Sequence, residues 1–92
     1  MNLYAILRRD GFTDGAELEA AAARSTEVGD GMPSEIKWIR SYVLQEGDGG
    51  LGRICIYQAS SSEAIRKHAA EADLPVSDIV AIANTVVVRP DP

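Results

Sequence analysis

The rhythm of apolar and polar residues changes repeatedly along this chain. NLYAILRR, residues 2–9, starts apolar and ends in charge, the pattern of a strand. FTDGAELEAAAARSTEV then shifts to helical spacing, with Leu18, Ala21, Ala22, Ser25 and Val28 falling on one narrow stripe of small residues. Thr13 or Asp14 can accept the orphan N–H bonds of its first turn, Glu17 suits its positive end, and Gly29, Gly31 and Pro33 close it. EIKWIRSYVLQ, residues 35–45, reads as a long strand. Strict alternation puts Ile36, Trp38, Arg40, Tyr42 and Leu44 on one face and Lys37, Ile39, Ser41 and Val43 on the other.

After the glycine-rich EGDGGLG, the segment RICIYQA forms the returning strand of a hairpin. Ser60 and Glu63 make an S-x-x-E capping box, so a second helix begins near Ser61. Its inward stripe is Ala64, Ile65, His68, Ala69 and Ala72, and Leu74–Pro75 ends it. DIVAIANTVVVR supplies a last strand before a short polar tail. The order β-α-β-β-α-β predicts a single α+β domain over residues 1–92. Its form is the ferredoxin-like sandwich, one antiparallel four-stranded sheet with two helices on one face. Large apolar residues occupy both phases of the strands, so the face without helices calls for cover. A second copy of the chain, forming a homodimer of the dimeric α/β-barrel kind, supplies it most simply.

Composition narrows the classes of function. Nine basic against 14 acidic residues give a net charge of −5, and no basic cluster exceeds Arg8–Arg9, which argues against nucleic acid. No apolar run approaches the roughly 18–20 residues of a membrane span, and Arg8, Arg9 and Asp10 interrupt the start of the chain before a signal core could form. One cysteine, Cys55, allows no internal disulfide, so a cytoplasmic setting is expected.

Few residues carry candidate chemistry. GDGGLG at 47–52 matches G-x-G-x-x-G formally, yet a strand follows it rather than the helix whose N-terminus would hold a pyrophosphate. It is a hairpin loop. The three serines at 60–62 lack a nucleophile elbow, and capping accounts for them. His68 is the only histidine; no H-x3-H or C-x2-C spacing accompanies it, which argues against a closed structural zinc site. It reads either as a hydrogen-bonded core histidine or as a ligand or acid/base group. Cys55 reads as a small core residue. Trp38, Tyr42 and Tyr57 suit a pocket, with Arg40 as an anchor for an anionic or aromatic ligand, or else an aromatic interface.

WIRSYV at 38–43, CIYQA at 55–59, S-x-E-A-I-R-K-H-A at 61–69 and LPVSDI at 74–79 together resemble the DUF4242 family, small actinobacterial proteins described as nickel-binding and ferredoxin-like. The resemblance covers residues 2–85. It implies a ferredoxin-like fold assembled as a dimeric α/β barrel, with nickel binding in the family. The matching positions are Trp38, Ser41, Tyr42, Cys55, Tyr57, Glu63 and His68. Two departures stand out: the hairpin QEGDGGLGR is longer and richer in glycine than is usual there, and Gln58 replaces the glutamate of a Y-E-A.

The resemblance implies a small protein that binds a divalent metal, Ni2+ among them, or a small ligand; a metal would be held by His68 with Glu46 or Asp48. The alternative is a cofactor-independent enzyme, a monooxygenase or isomerase of a small aromatic substrate. There His68 would be the acid/base, and Trp38, Arg40, Tyr42, Cys55 and Tyr57 would line the pocket.

Overall fold

The computed structural model describes residues 1–47 and 49–90. Its elements are β1 (Asn2–Phe12), α1 (Gly15–Asp30), β2 (Ile36–Gln45), β3 (Leu51–Ala59), α2 (Ser62–Glu71) and β4 (Asp78–Ala81). The strands form one sheet in the order β2-β3-β1-β4, with every neighbouring pair antiparallel. This is the expected ferredoxin-like sandwich.

The helices start where short polar side chains satisfy free backbone donors. Asp14 accepts from the Glu17 N–H at 2.9 Å, and Thr13 bonds back to the Glu17 carboxylate. Ser61, one residue later than the capping box predicted, accepts from the Ala64 N–H at 3.1 Å. All five residues of the expected α2 stripe are buried. On α1 only Ala21 and Ser25 are fully buried, because a stripe of small side chains lets that helix lie close to its neighbours at those two positions. The core between sheet and helices centres on Ile6, Ile36, Cys55, Tyr57 and Ile65, with a second cluster around Phe12, Ala21, Ala69 and Leu74.

Two expectations need correction. The last strand is Asp78–Ala81 rather than the whole of residues 78–89. It pairs only with β1, running from Asp78 opposite Leu7 to Ala81 opposite Tyr4, and one further bond joins the Ile82 N–H to the Leu3 carbonyl. Val86, Val87 and Val88 are left exposed.

The second correction concerns β2. Trp38 stands opposite Tyr57 and Arg40 opposite Ile56, so Ile39 is an extra residue, a β-bulge. The bulge inverts the phase of everything after it. Trp38 keeps the helix-covered face, Ser41 joins it opposite Cys55, and Arg40 and Tyr42 turn to the other face opposite Ile56 and Ile54.

A second irregularity lies in β1 between Arg8 and Phe12, where Asp10 adopts φ 48°. Glu46 braces it. Its two carboxylate oxygens accept from Arg9 Nε and Nη2 at 2.9 and 3.0 Å, and Oε1 also accepts from the Asp10 N–H. Gly52 permits this approach, since a Cβ there would stand 2.8 Å from the Arg8 carbonyl oxygen and would meet the Glu46 carboxylate.

Candidate ligand cleft

Alternation along β3 sends Arg53, Cys55, Tyr57 and Ala59 towards the helices, and all four are buried. On β1, Tyr4, Ile6 and Arg8 share that face, each opposite a β3 partner: Tyr57, Cys55 and Arg53 respectively. From α2, the spacing that buries Ala64 and Ile65 also brings His68 inward, 1% exposed. Ser25 of α1 completes the group.

Tyr57 and His68 are joined through Ser25. The Tyr57 hydroxyl bonds the Ser25 hydroxyl at 2.8 Å, and His68 Nε2 lies 2.9 Å from the Ser25 carbonyl oxygen. The Tyr57 and His68 rings meet edge to face with centroids 5.4 Å apart, and Trp38 stacks on Tyr57 at 6.2 Å. A carbonyl only accepts, so Nε2 carries the proton and Nδ1 keeps a lone pair. Nδ1 is buried with no partner among the described residues.

Burial is the main influence on the imidazole and holds it below its ordinary value of 6.5. The charge of Arg8 pushes the same way, while the Ser25 carbonyl and the Glu71 carboxylate oppose. His68 is therefore a neutral base at physiological pH. Burial likewise raises the Tyr57 phenol above 10.0, against the opposing bond to Ser25.

These side chains form one wall of a cleft of about 510 Å³ between α1, β2 and α2. Ser25, Gly29, Ile36, Trp38, Tyr57 and His68 line it, with Lys37 and Ile39 at its margin. Such a surface, largely apolar with a few directed polar groups, is of the size and kind that takes a small organic molecule.

The residues singled out in the sequence are thus divided. Trp38, Cys55, Tyr57 and His68 lie together on the covered face. Cys55 sits beneath the cleft, where its sulfur accepts from the Ser41 hydroxyl at 3.1 Å; Ser41 in turn accepts from Trp38 Nε1 at 2.8 Å. Arg40 and Tyr42 lie on the opposite face, Arg40 donating to the Tyr42 hydroxyl at 3.4 Å. Glu46 is committed to Arg9 and Asp10. It adjoins Gly52 while His68 packs on Tyr57, five positions and about 17 Å further along β3. Asp48 lies outside the described residues.

The sequence reading put Ser25 on the stripe of α1 without its link to Tyr57 and His68, and it did not bring Arg8 and Arg53 together in this interior. The two arginines were accessible to it, because at period two Arg8 follows Tyr4 and Ile6 and Arg53 precedes Cys55 and Tyr57 on the inward face. A family model described as nickel-responsive protein SCO4226-like matches residues 4–82. The chain belongs to the SCO4226-like family.

Among solved structures, the crystal structure of SCO4226 from Streptomyces coelicolor A3(2) superposes with a TM-score of 0.71 at 13% identity. It covers 91% of this chain and 99% of that one, a likeness of fold. Rv0793 from Mycobacterium tuberculosis matches at a TM-score of 0.41 and 15% identity, over 97% of this chain and 100% of that one. No curated protein matches the chain significantly.

A family name tied to nickel invites a test of the donor set. Among the described residues no three His, Cys, Asp or Glu side chains gather where they could share an ion. His68 commits one nitrogen to Ser25, and the charge of Arg8 acts on its ring. A single imidazole nitrogen in the field of a guanidinium is a poor seat for a divalent cation. The described interior does not fit a resident nickel ion.

Proposed function

We propose that this SCO4226-like protein is a small-ligand-binding protein acting in a nickel-responsive process. In this reading its ligand is a small, flat organic molecule seated in the Trp38–Tyr57–His68 cleft. The convergence of those three rings on one cleft of about 510 Å³ carries the reading. Trp38 reports on it directly, being the only tryptophan. Titration with a panel of planar aromatic compounds, followed by tryptophan fluorescence, should give saturable quenching that is weakened at least tenfold by His68→Ala. Calorimetric titration with nickel chloride beside the same variant checks the metal side. Tight nickel binding that His68→Ala abolishes would overturn the ligand reading in favour of a metal carrier.

The working unit of this proposal is a homodimer in the cytoplasm, joined through the sheet face that bears no helix. Leu3, Ala5, Leu7, Ile54 and Ile56 share that face with the exposed Tyr42 and Val80. Apolar surface of this kind is expected to be covered. Sedimentation of the wild type as a dimer, and of Ile56→Lys as a folded monomer, is the expected result. A monomeric wild type would remove this part of the proposal. No helix of the described residues is long and apolar enough to cross a membrane.

A second reading, acid/base catalysis by His68, is favoured by its partnerless Nδ1 on a neutral ring. Turnover of any cleft ligand, lost in His68→Gln while binding persists, would select it.

A further inference from the structure

We infer that the space between the sheet and the helices at Arg8 and Arg53 is a binding site for a small oxyanion, inorganic phosphate or the carboxylate of a small molecule. The two arginines are directly opposed partners on β1 and β3, so their Cβ atoms start about 5 Å apart on one face. Both are buried, at 0% and 3% exposure. A guanidinium keeps its charge inside a protein, and a buried charge without a counter-charge is strongly unfavourable. Here two of like sign adjoin.

Their partners in the structure are neutral. Arg8 Nη1 donates to the Pro75 carbonyl at 2.8 Å, and Arg53 Nη2 donates to the Ser41 hydroxyl at 3.2 Å. The Arg53 guanidinium also lies 5.1 Å from the centre of the Trp38 ring and 5.9 Å from that of Phe12. Three donors remain buried and unsatisfied among the described residues: Arg8 Nε, Arg8 Nη2 and Arg53 Nη1. The ion pair found among the described residues, Arg9–Glu46, leaves both uncompensated.

Guanidinium forks match the planar or tetrahedral geometry of oxyanions, which accept several N–H bonds at once. An oxyanion between the two guanidinium groups would draw on these orphan donors and neutralise the pair. The site adjoins the cleft through Trp38, against whose ring Arg53 lies, and stands whether or not the cleft takes an aromatic ligand.

The test is calorimetric titration of the full chain with phosphate, sulfate and acetate in parallel, at pH 7.5 and constant ionic strength, beside Arg8→Met and Arg53→Met. Saturable binding of one anion per chain, weakened at least tenfold in each variant, is expected. Preference for acetate points to a carboxylate ligand, and preference for phosphate or sulfate to an inorganic one. Absence of saturable binding by all three anions overturns the inference, as does unchanged affinity in the variants. Thermal unfolding of the wild type alone gives a check that needs no variant. Its midpoint should rise with each tenfold increase in the bound anion at fixed ionic strength, and a flat midpoint overturns the site.

Discussion

On the face covered by α1 and α2, β1 and β3 place Arg8, Arg53, Cys55 and Tyr57, with His68 packed above them. On the other face the same two strands place Leu3, Ala5, Leu7, Ile54 and Ile56. The covered face buries two arginines and a histidine among apolar core residues such as Ile6 and Ala59, while the open face sets aliphatic side chains beside Gln58, Arg40 and Tyr42. Hydrophobic burial alone does not place two guanidinium groups inside. The covered face has given up part of its apolar contact for directed donors and acceptors, which suits recognition of a polar or charged molecule. The open face keeps a patch of aliphatic side chains around Ile54 and Ile56, the surface on which the proposed dimer rests.

The contrast can be broken by substitution. Ile65, on the inner face of α2, is fully buried, and Ile65→Ala should lower stability by about 2–5 kcal/mol in urea unfolding. Val80→Ala, on the open face, should change the stability of the monomer by less than about 0.5 kcal/mol. Similar losses at the two positions would mean that the faces are not energetically distinct.

Tyr57→Phe removes a buried bond and leaves the Ser25 hydroxyl without its partner, at about 1–2 kcal/mol. A double-mutant cycle with Ser25→Ala should recover part of that loss, since removing both partners leaves nothing unsatisfied. Strict additivity of the two single losses would show that the bond contributes no coupling. The cap of α2 sets the scale for a local effect. Ser61→Ala should be worth about 1 kcal/mol, read from the same urea midpoints.

The smallest expected effect is one of slope. His68 titrates below 6.5 in the folded chain, so between that lowered value and 6.5 the unfolded chain binds more protons. The stability gained from keeping His68 neutral is therefore complete above pH 6.5 and declines as the pH falls towards the folded value. Urea unfolding at several points between pH 7.5 and pH 5 should show this decline in the wild type. His68→Gln should flatten it. An identical slope in the variant would place the proton uptake elsewhere.

Much of the covered face was legible in advance. Period two on β3 brought Cys55 and Tyr57 to one side, and helical spacing turned His68 towards them. What misled was β2. Large apolar residues occupy both phases of its sequence, and strict alternation joined Trp38, Arg40 and Tyr42 on one face. The extra residue at Ile39 separates Trp38 from the other two. A bulge is a relation between two strands, and one strand's own pattern does not encode it. Glu46 was misleading in another way. As a free carboxylate near a glycine loop it suggested a ligand, whereas its oxygens are occupied by Arg9 and the Asp10 N–H, 36 to 37 positions away in the chain.

The sequence by itself determined the β-α-β-β-α-β order, the start of α1 at Thr13 or Asp14 and of α2 within the serine run 60–62, and the inward stripe of α2. Each of these depends on residues within a turn or two of one another, where side-chain spacing and backbone donors are enough. Only the tertiary structure decided that Arg8 and Arg53 face each other without an acidic partner among the described residues, that Ser25 links Tyr57 to His68, and that β4 stops at Ala81. Those facts come from register between distant strands and from the closeness of helix to sheet, and local spacing does not specify either.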